Sequence, residues 1–421
     1  MPARFAAAFR SLENRNFRLF FTGQLVSLVG TWMQTVAESW LVYRLTGSSL
    51  LLGGVGFASQ IPVFLLATVG GTVADRGNRH RILVGTQTAA MLLAGTYAAL
   101  TLTKTIRVSH IFVLAALLGV VNAVDIPTRQ AFVTDMVGRE GLMNAIALNS
   151  SMFNGARVIG PAVAGVLVAS VGEGWCFAIN AASYVAVIAG LLRMTLPPFT
   201  RKSTRVSASE MLGGFRFAFR AVPVRALLSL IGVMSFCGMP YAVLMPVFSD
   251  RILHGGARAL GFLMTASGVG ALAGSLLLAS RKGISGLGTW VALGAAGFGV
   301  SAIAFSLSRA LWLSALLLVP LGMSLMIQMA STNTLIQSMV PDALRGRVMA
   351  VYSMMFMGMA PFGSMLAGAV AERVGAPVTV AAGGSICVAA GVLFRIGLPR
   401  YRDEARRLVA AQAAGGAVTP R

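Results

Sequence analysis

Twelve stretches of this 421-residue chain, each 17 residues or longer, contain no Asp, Glu, Lys or Arg, or in one case a single Arg. They run from Leu19–Ala37 to Val374–Phe394, and Gly141–Gly172 is broken only by Arg157. About 20 apolar residues suffice to cross the hydrocarbon core of a bilayer as a helix. Backbone polar groups cannot go unpaired in lipid, so a span is either a helix or part of a closed barrel. These runs are too long and too evenly apolar for barrel strands, which alternate over ~10 residues. The sequence therefore predicts an all-α polytopic membrane protein with twelve transmembrane helices. Its charged fraction of 11% agrees, since a soluble domain carries about 25%.

The formal net charge is +21, which in a soluble protein would point to nucleic acid. Here the basic residues sort by loop. With the N-terminus inside, 25 of the 34 Lys and Arg fall on the cytoplasmic side and seven on the other, while Arg129 and Arg157 lie within helices. The positive-inside rule then puts both termini in the cytoplasm. The expected location is a bacterial plasma (inner) membrane, with the bilayer and not nucleic acid as partner. No cleavable signal peptide is expected, because the first apolar run, from Phe17, is long enough to span and leads into Glu38. Cys176, Cys237 and Cys387 stand singly in apolar segments, and His80, His110 and His254 have no ligand spacing, so no metal site is inferred.

The chain matches itself at an offset of 203 residues. Residues 136–172 align without gaps on 339–375 with twelve identities in 37 positions, among them Gly155/Gly358, Gly160/Gly363 and Gly165/Gly368. The fifth span thus corresponds to the eleventh. An even number of spans between copies preserves orientation, which gives two parallel six-helix bundles, the pattern of one transporter class. The expected division is an N-terminal bundle over 1–194, a basic cytoplasmic linker over 195–224, a C-terminal bundle over 225–398 and a cytoplasmic tail over 399–421. Within the linker, Glu210–Arg220 is predicted to form an amphipathic helix.

The loop "GGTVADRGNRHRIL", Gly70 to Leu83, resembles the signature loop of the major facilitator superfamily at Gly71, Asp75, Arg76 and Arg79. Asn78 replaces a preferred glycine, and Asn tolerates a left-handed conformation. "GARVIGPAVAG", Gly155 to Gly165, is similar to the antiporter motif of that superfamily at Gly160, Pro161 and Gly165, with Gly155 one residue too far away. Pro161 breaks the helix ladder and small residues admit close contact, which together predict a kink sealed by a neighbour. Over about residues 10–400 the chain also resembles the branch holding enterobactin-type siderophore exporters and related drug exporters. The resemblance implies a central cavity lined by the first, fourth, seventh and tenth helices.

Charges at membrane depth mark function. Candidates for proton coupling are Asp125, Glu38 and Arg157. Asp125 either exchanges a proton against a cation such as Arg157 or forms a permanent salt bridge. Candidate cavity residues are Gln34, Glu38, Asn122, Asp125, Tyr241, Met245, Gln328 and Ser331. Gly71, Asp75, Arg76, Arg79 and Arg129 form a candidate cytoplasmic gate, with Arg129 a possible mate for Asp75. No Walker loop is present, so no nucleotide cofactor is expected and a proton gradient would supply the energy. The expected function is a monomeric, proton-coupled antiporter exporting amphipathic small molecules. The alternatives are a lipid flippase of the same fold and a non-transporting receptor; no enzyme motif is present.

Overall fold

The computed structural model describes residues 10–196, 208–281 and 283–413, apart from the side chains of residues 139–140, 208–212, 343 and 413. Part of the expected linker (197–207), the end of the expected tail (414–421) and the loop bases Arg4, Arg201, Lys202, Arg205 and Lys282 lie outside the described residues.

The long helices follow one another with short connections. They are α1 (Arg15–Thr46), α2 (Ser49–Arg76), α3 (Arg79–Leu102), α4 (Val108–Gly138), α5 (Gly141–Val171) and α6 (Glu173–Leu192). After the short helix Ala208–Arg220 come α7 (Val222–Ile252), α8 (Gly256–Ala279), α9 (Leu287–Leu307), α10 (Leu311–Met339), α11 (Asp342–Val374) and α12 (Ala376–Ala413). Among the described residues eleven helices are long and apolar enough to cross a membrane. The exception is α1, whose 32 residues have the length but carry Gln24, Thr31, Gln34 and Glu38 among the apolar ones. Large apolar side chains face outward, with Leu65, Trp312 and Leu393 each about two-thirds exposed. That inverts the surface of a soluble protein, whose exposed apolar patches are small.

Local chemistry sets the helix ends. The Asn14 side chain accepts from the backbone N–H of Asn16 and Phe17 at 2.9 and 3.1 Å, capping α1. Gly47, at φ 63°, ends the helix in the left-handed region. Helices α4 and α5 are joined without a loop: from Val108 to Val171 the only non-helical backbone is Gly138, at φ 65° and ψ −173°. Backbone of that kind is essentially confined to glycine. Pro161 lies inside α5 with helical dihedrals on either side, although its missing N–H removes one bond from the ladder. By contrast α7 is irregular, with π-helical turns at Met234–Gly238 and Phe248–Ile252 on either side of Pro240 and Pro246. Likewise α12 runs on through Pro399 to Ala413. The carbonyl that loses its partner belongs to exposed Arg395, and beyond the proline Leu408 is again buried.

Contacts divide the chain into two compact units. The first comprises residues 1–47, 58–204 and 254–265; the second 48–57, 205–253 and 266–421. In the first, Phe17, Phe20, Leu83, Phe132, Met136 and Leu148 form a core at one end. The α1 backbone reaches α5 closely at Gly160, where a Cβ would collide with Trp32. At the start of α8, a Cβ on Gly261 would lie 2.5 Å from the Pro161 carbonyl oxygen and 2.6 Å from Gly165 Cα. In the second unit the start of α2 crosses α11 in the same manner, and a Cβ on Gly368 would lie 2.5 Å from the Ser49 carbonyl oxygen and 3.1 Å from Gly53 Cα. The repeat-related Gly165 and Gly368 thus do equivalent work. Small residues let helix backbones approach where no large side chain fits.

Candidate functional site

A cavity of about 380 Å³ opens inside the first unit. Helix α1 contributes Gln24, Ser27, Thr31, Trp32 and Thr35, and α4 contributes Asn122, Asp125, Arg129 and Gln130. Gln87 of α3, Asn149 and Phe153 of α5 and Tyr184 of α6 complete the polar and aromatic wall. Helical periodicity puts Asn122, Asp125 and Arg129 on one face, as their spacing predicts.

Asp125 is 3% exposed and fully partnered. Its Oδ2 lies 3.0 Å from Arg129 Nη2, one turn along α4. Its Oδ1 accepts from Thr86 Oγ1 and from Gln87 Nε2, both at 2.8 Å and both from α3. A buried charge is tolerated when it is paired and hydrogen-bonded, and this carboxylate is both. The far end of the Gln87 amide and the Gln24 amide oxygen are buried without a partner among the described groups. The cavity wall therefore offers an ion pair, two unused amide ends and an aromatic surface. Trp32 and Phe153 meet edge to face with ring centroids 5.7 Å apart.

The expected pairing of Asp125 with Arg157 is not found. Arg157 instead places its guanidinium 5.8 Å from the Trp32 ring centroid, a cation–π contact. The expected mating of Arg129 with Asp75 is replaced by the Asp125–Arg129 pair, which the four-residue spacing on one helix makes short-range. Gln34 shares a face with Thr31 but lies outside this cavity wall: Asn180 Nδ2 of α6 donates to its Oε1 at 2.6 Å. Glu38 is half-buried near Tyr97 of α3, whose hydroxyl donates to the Ile111 carbonyl at 3.1 Å, again away from the cavity. In the second unit Tyr241 is buried against Ser267, oxygen to oxygen at 2.9 Å. Met245, Gln328 and Ser331 are buried, with Gln328 Nε2 donating to Thr332 Oγ1 at 3.2 Å.

The signature loop is compact. Asn78 is not left-handed; at φ −71° it caps α3, accepting from Arg81 N–H at 3.1 Å. Gly71 has open space around it, and the glycine that α4 crowds is Gly70, whose Cβ would strike the Ala123 carbonyl. Arg79 Nη1 binds both oxygens of Asp135 at 2.9 and 2.8 Å, and Asp75 lies 3.6 Å from Arg79 Nη2. Arg76 ends α2. Sequence reasoning passed over Asp135, whose signal was an acid near the end of α4, on the side of the bilayer where the loop arginines lie. It also passed over Thr86 and Gln87, neutral partners that carry no charge to attract notice. The antiporter motif is realised unevenly. Gly160 and Gly165 are pressed by backbone, whereas nothing lies within 4 Å of a Cβ at Gly155.

Comparison with known proteins agrees with this architecture. The family model described as transmembrane secretion effector matches residues 6–413. The staphyloferrin A transporter of Staphylococcus aureus (strain NCTC 8325 / PS 47) is 25% identical over 352 residues, 83% of this chain and 88% of that protein. The enterobactin exporter EntS of Shigella boydii serotype 4 (strain Sb227) is 26% identical over 398 residues, 92% of each chain. A crystal structure of a POT family transporter in complex with 5-aminolevulinic acid superposes with a TM-score of 0.73 at 11% identity, covering 92% of this chain and 97% of that one. The nucleoside transporter NupG gives 0.69 at 15%, covering 91% and 99%. These two likenesses bear on the fold alone. Since the family match runs through both copies of the internal repeat, the chain as a whole belongs to the transmembrane secretion effector family of the major facilitator superfamily, whose members are multi-pass membrane transporters and not enzymes.

Proposed function

We propose that the protein is a proton-coupled antiporter that exports amphipathic small molecules of the siderophore or drug class by alternating access. The observation that carries this reading is Asp125, a buried carboxylate on a cavity wall, held by Arg129, Thr86 and Gln87. The staphyloferrin A transporter and the enterobactin exporter among its relatives support the cargo class. The amide ends of Gln24 and Gln87 would bind the polar groups of such a molecule, and Trp32 and Phe153 its apolar or aromatic part.

Protonation would take the charge from Asp125 and leave Arg129 unmatched. Breaking a buried pair costs about 3–5 kcal/mol, close to the ~5.5 kcal/mol that turns a 1:99 equilibrium into 99:1. One proton thus supplies most of that bias, provided that the pair is made in only one of the inward and outward states. In this reading α1 is the twelfth span, the halves are 1–194 and 225–398, both termini are cytoplasmic and the protein acts as a monomer in the bacterial inner membrane. Glu38, apart from the cavity, is a second candidate for proton coupling.

The test uses everted vesicles from a pump-deficient host, energised by respiration, with siderophores, dyes and drugs added in turn. A pH-sensitive probe should report proton release from the lumen with the parent protein and none with Asp125→Asn. Equal release by both would remove Asp125 from the coupling step. Silence across the panel with retained lipid translocation would favour a flippase instead.

A further inference from the structure

A second cavity, of about 560 Å³, lies within the second unit, away from Asp125. That volume falls within the ~300–1,000 Å³ of small-molecule sites. Its floor is apolar, built by Leu227, Leu335, Met339, Phe394 and Leu398 from α7, α10 and α12. Its rim is basic: Arg402 and Arg406 of the α12 extension line it, both exposed. No acidic residue lines it, although Asp403 and Glu404 stand between those arginines in sequence. Behind the Ser285–Gly286 wall sits Arg281. Its Nη2 donates to the Ser285 carbonyl at 2.9 Å and its guanidinium lies 4.8 Å from the Trp290 ring centroid. Its Nη1 is buried without a partner among the described groups.

The cavity does not stand alone. A groove of about 320 Å³ shares Phe394 and Tyr401 with it and continues along α7 and α12 past Leu230, Val233, Ala390 and Leu393. Leu393 is 67% exposed, so this groove faces the hydrocarbon. Arg225 lines it, adding a third guanidinium where the two depressions meet the end of the helices. A soluble anion would use the arginines but leave the apolar floor empty. A neutral lipid would fill the floor but leave the arginines unmatched.

We propose that this paired depression binds one anionic glycerophospholipid. Its phosphate lies on Arg402 and Arg406, and an acyl chain runs past Tyr401 and Phe394 into the bilayer groove. Basic pockets between helices at the end of a bundle recognise anionic headgroups by charge, and each acyl methylene buried adds to the hold. The site keeps the α12 extension docked on α7 and α10. It is independent of the transport reading above, since it shares no residue with the Asp125 cavity.

The experiment is native mass spectrometry of the full chain extracted from vesicles of equimolar phosphatidylethanolamine and phosphatidylglycerol. One phosphatidylglycerol should stay bound per chain in excess over phosphatidylethanolamine. In Arg402→Gln/Arg406→Gln its retention should fall by roughly 25-fold, about fivefold for each guanidinium near the surface. Arg407→Gln, exposed on the same helix and lining neither depression, should retain it like the parent. Equal retention of the two lipids by the parent, or unchanged retention in the double variant, would overturn the proposal. So would a loss as large in Arg407→Gln, which would mean that net charge and not the site holds the lipid.

Discussion

Gly261→Ala adds a single methyl group where α8 crosses α5, and its effect follows from distances. The new Cβ would stand 2.5 Å from the Pro161 carbonyl oxygen and 2.6 Å from Gly165 Cα. Ordinary contact begins near 3.4 Å, so the helices must part by close to 1 Å. Both obstacles are backbone, and no rotamer change can relieve them. Overpacking of this kind costs about 1–3 kcal/mol, against a helix-propensity gain of up to ~1 kcal/mol for replacing Gly by Ala. With the full propensity gain the net loss is about 0–2 kcal/mol, and at roughly 2–4 °C per kcal/mol for a unit of this size the unfolding midpoint falls by up to about 8 °C. Gly155→Ala, two turns upstream of the crossing, is the control. Nothing lies within 4 Å of its Cβ, so only the propensity gain remains and the midpoint holds or rises. Thermal unfolding of the purified variants in lipid nanodiscs reads both. Equal midpoints for Gly261→Ala and Gly155→Ala would refute the reasoning, because the propensity change is common to both and only the crossing differs. Gly165→Ala should resemble Gly261→Ala, and the double variant should cost less than the sum, since one separation relieves both contacts.

Arg129→Gln should destabilise the first unit by about 3–5 kcal/mol, because it strips the cation from a buried carboxylate; the unfolding midpoint checks this, with Arg157→Gln expected to cost far less. In α11, Glu372 Oε2 accepts from the backbone N–H of Ser49 at 2.7 Å and of Leu50 at 3.2 Å, capping α2. Glu372→Gln should weaken that cap by about 1 kcal/mol and speed amide exchange at Ser49 and Leu50, read by hydrogen–deuterium exchange. Gly138→Ala should cost about 1–3 kcal/mol through backbone strain alone, since the space around that residue is open.

The helical spans were legible because lipid leaves the backbone few options, and charge-free runs report them directly. Asp125 was legible for the same reason: an acid inside such a run demands a partner. Which partner was not. Arg129 and Arg157 both satisfy a charge argument, and the outcome turned on Trp32, whose ring offers Arg157 an alternative that no spacing rule reveals. Gln34 and Thr31 share a face of α1, yet α6 claims Gln34 through Asn180, because a helix face is broad enough to serve two neighbours. The Gly70–Gly71 doublet shows the limit of motif matching: the pattern selects Gly71, while the crossing of α4 presses on Gly70. Glu372 escaped notice because it sits at the edge of an uncharged run, where a carboxylate looks like ordinary loop charge.

The Gly138 junction records how the two copies of the repeat have drifted apart. At the offset of 203 residues Gly138 corresponds to Pro341. One copy turns the corner with φ +65°, the other with φ −53° at a proline that precedes α11. Proline cannot reach the first value, and its ring leaves it no choice but the second. Proline could not serve at position 138, whereas glycine could adopt the dihedrals of position 341, so the exchange of corners is open in one direction only.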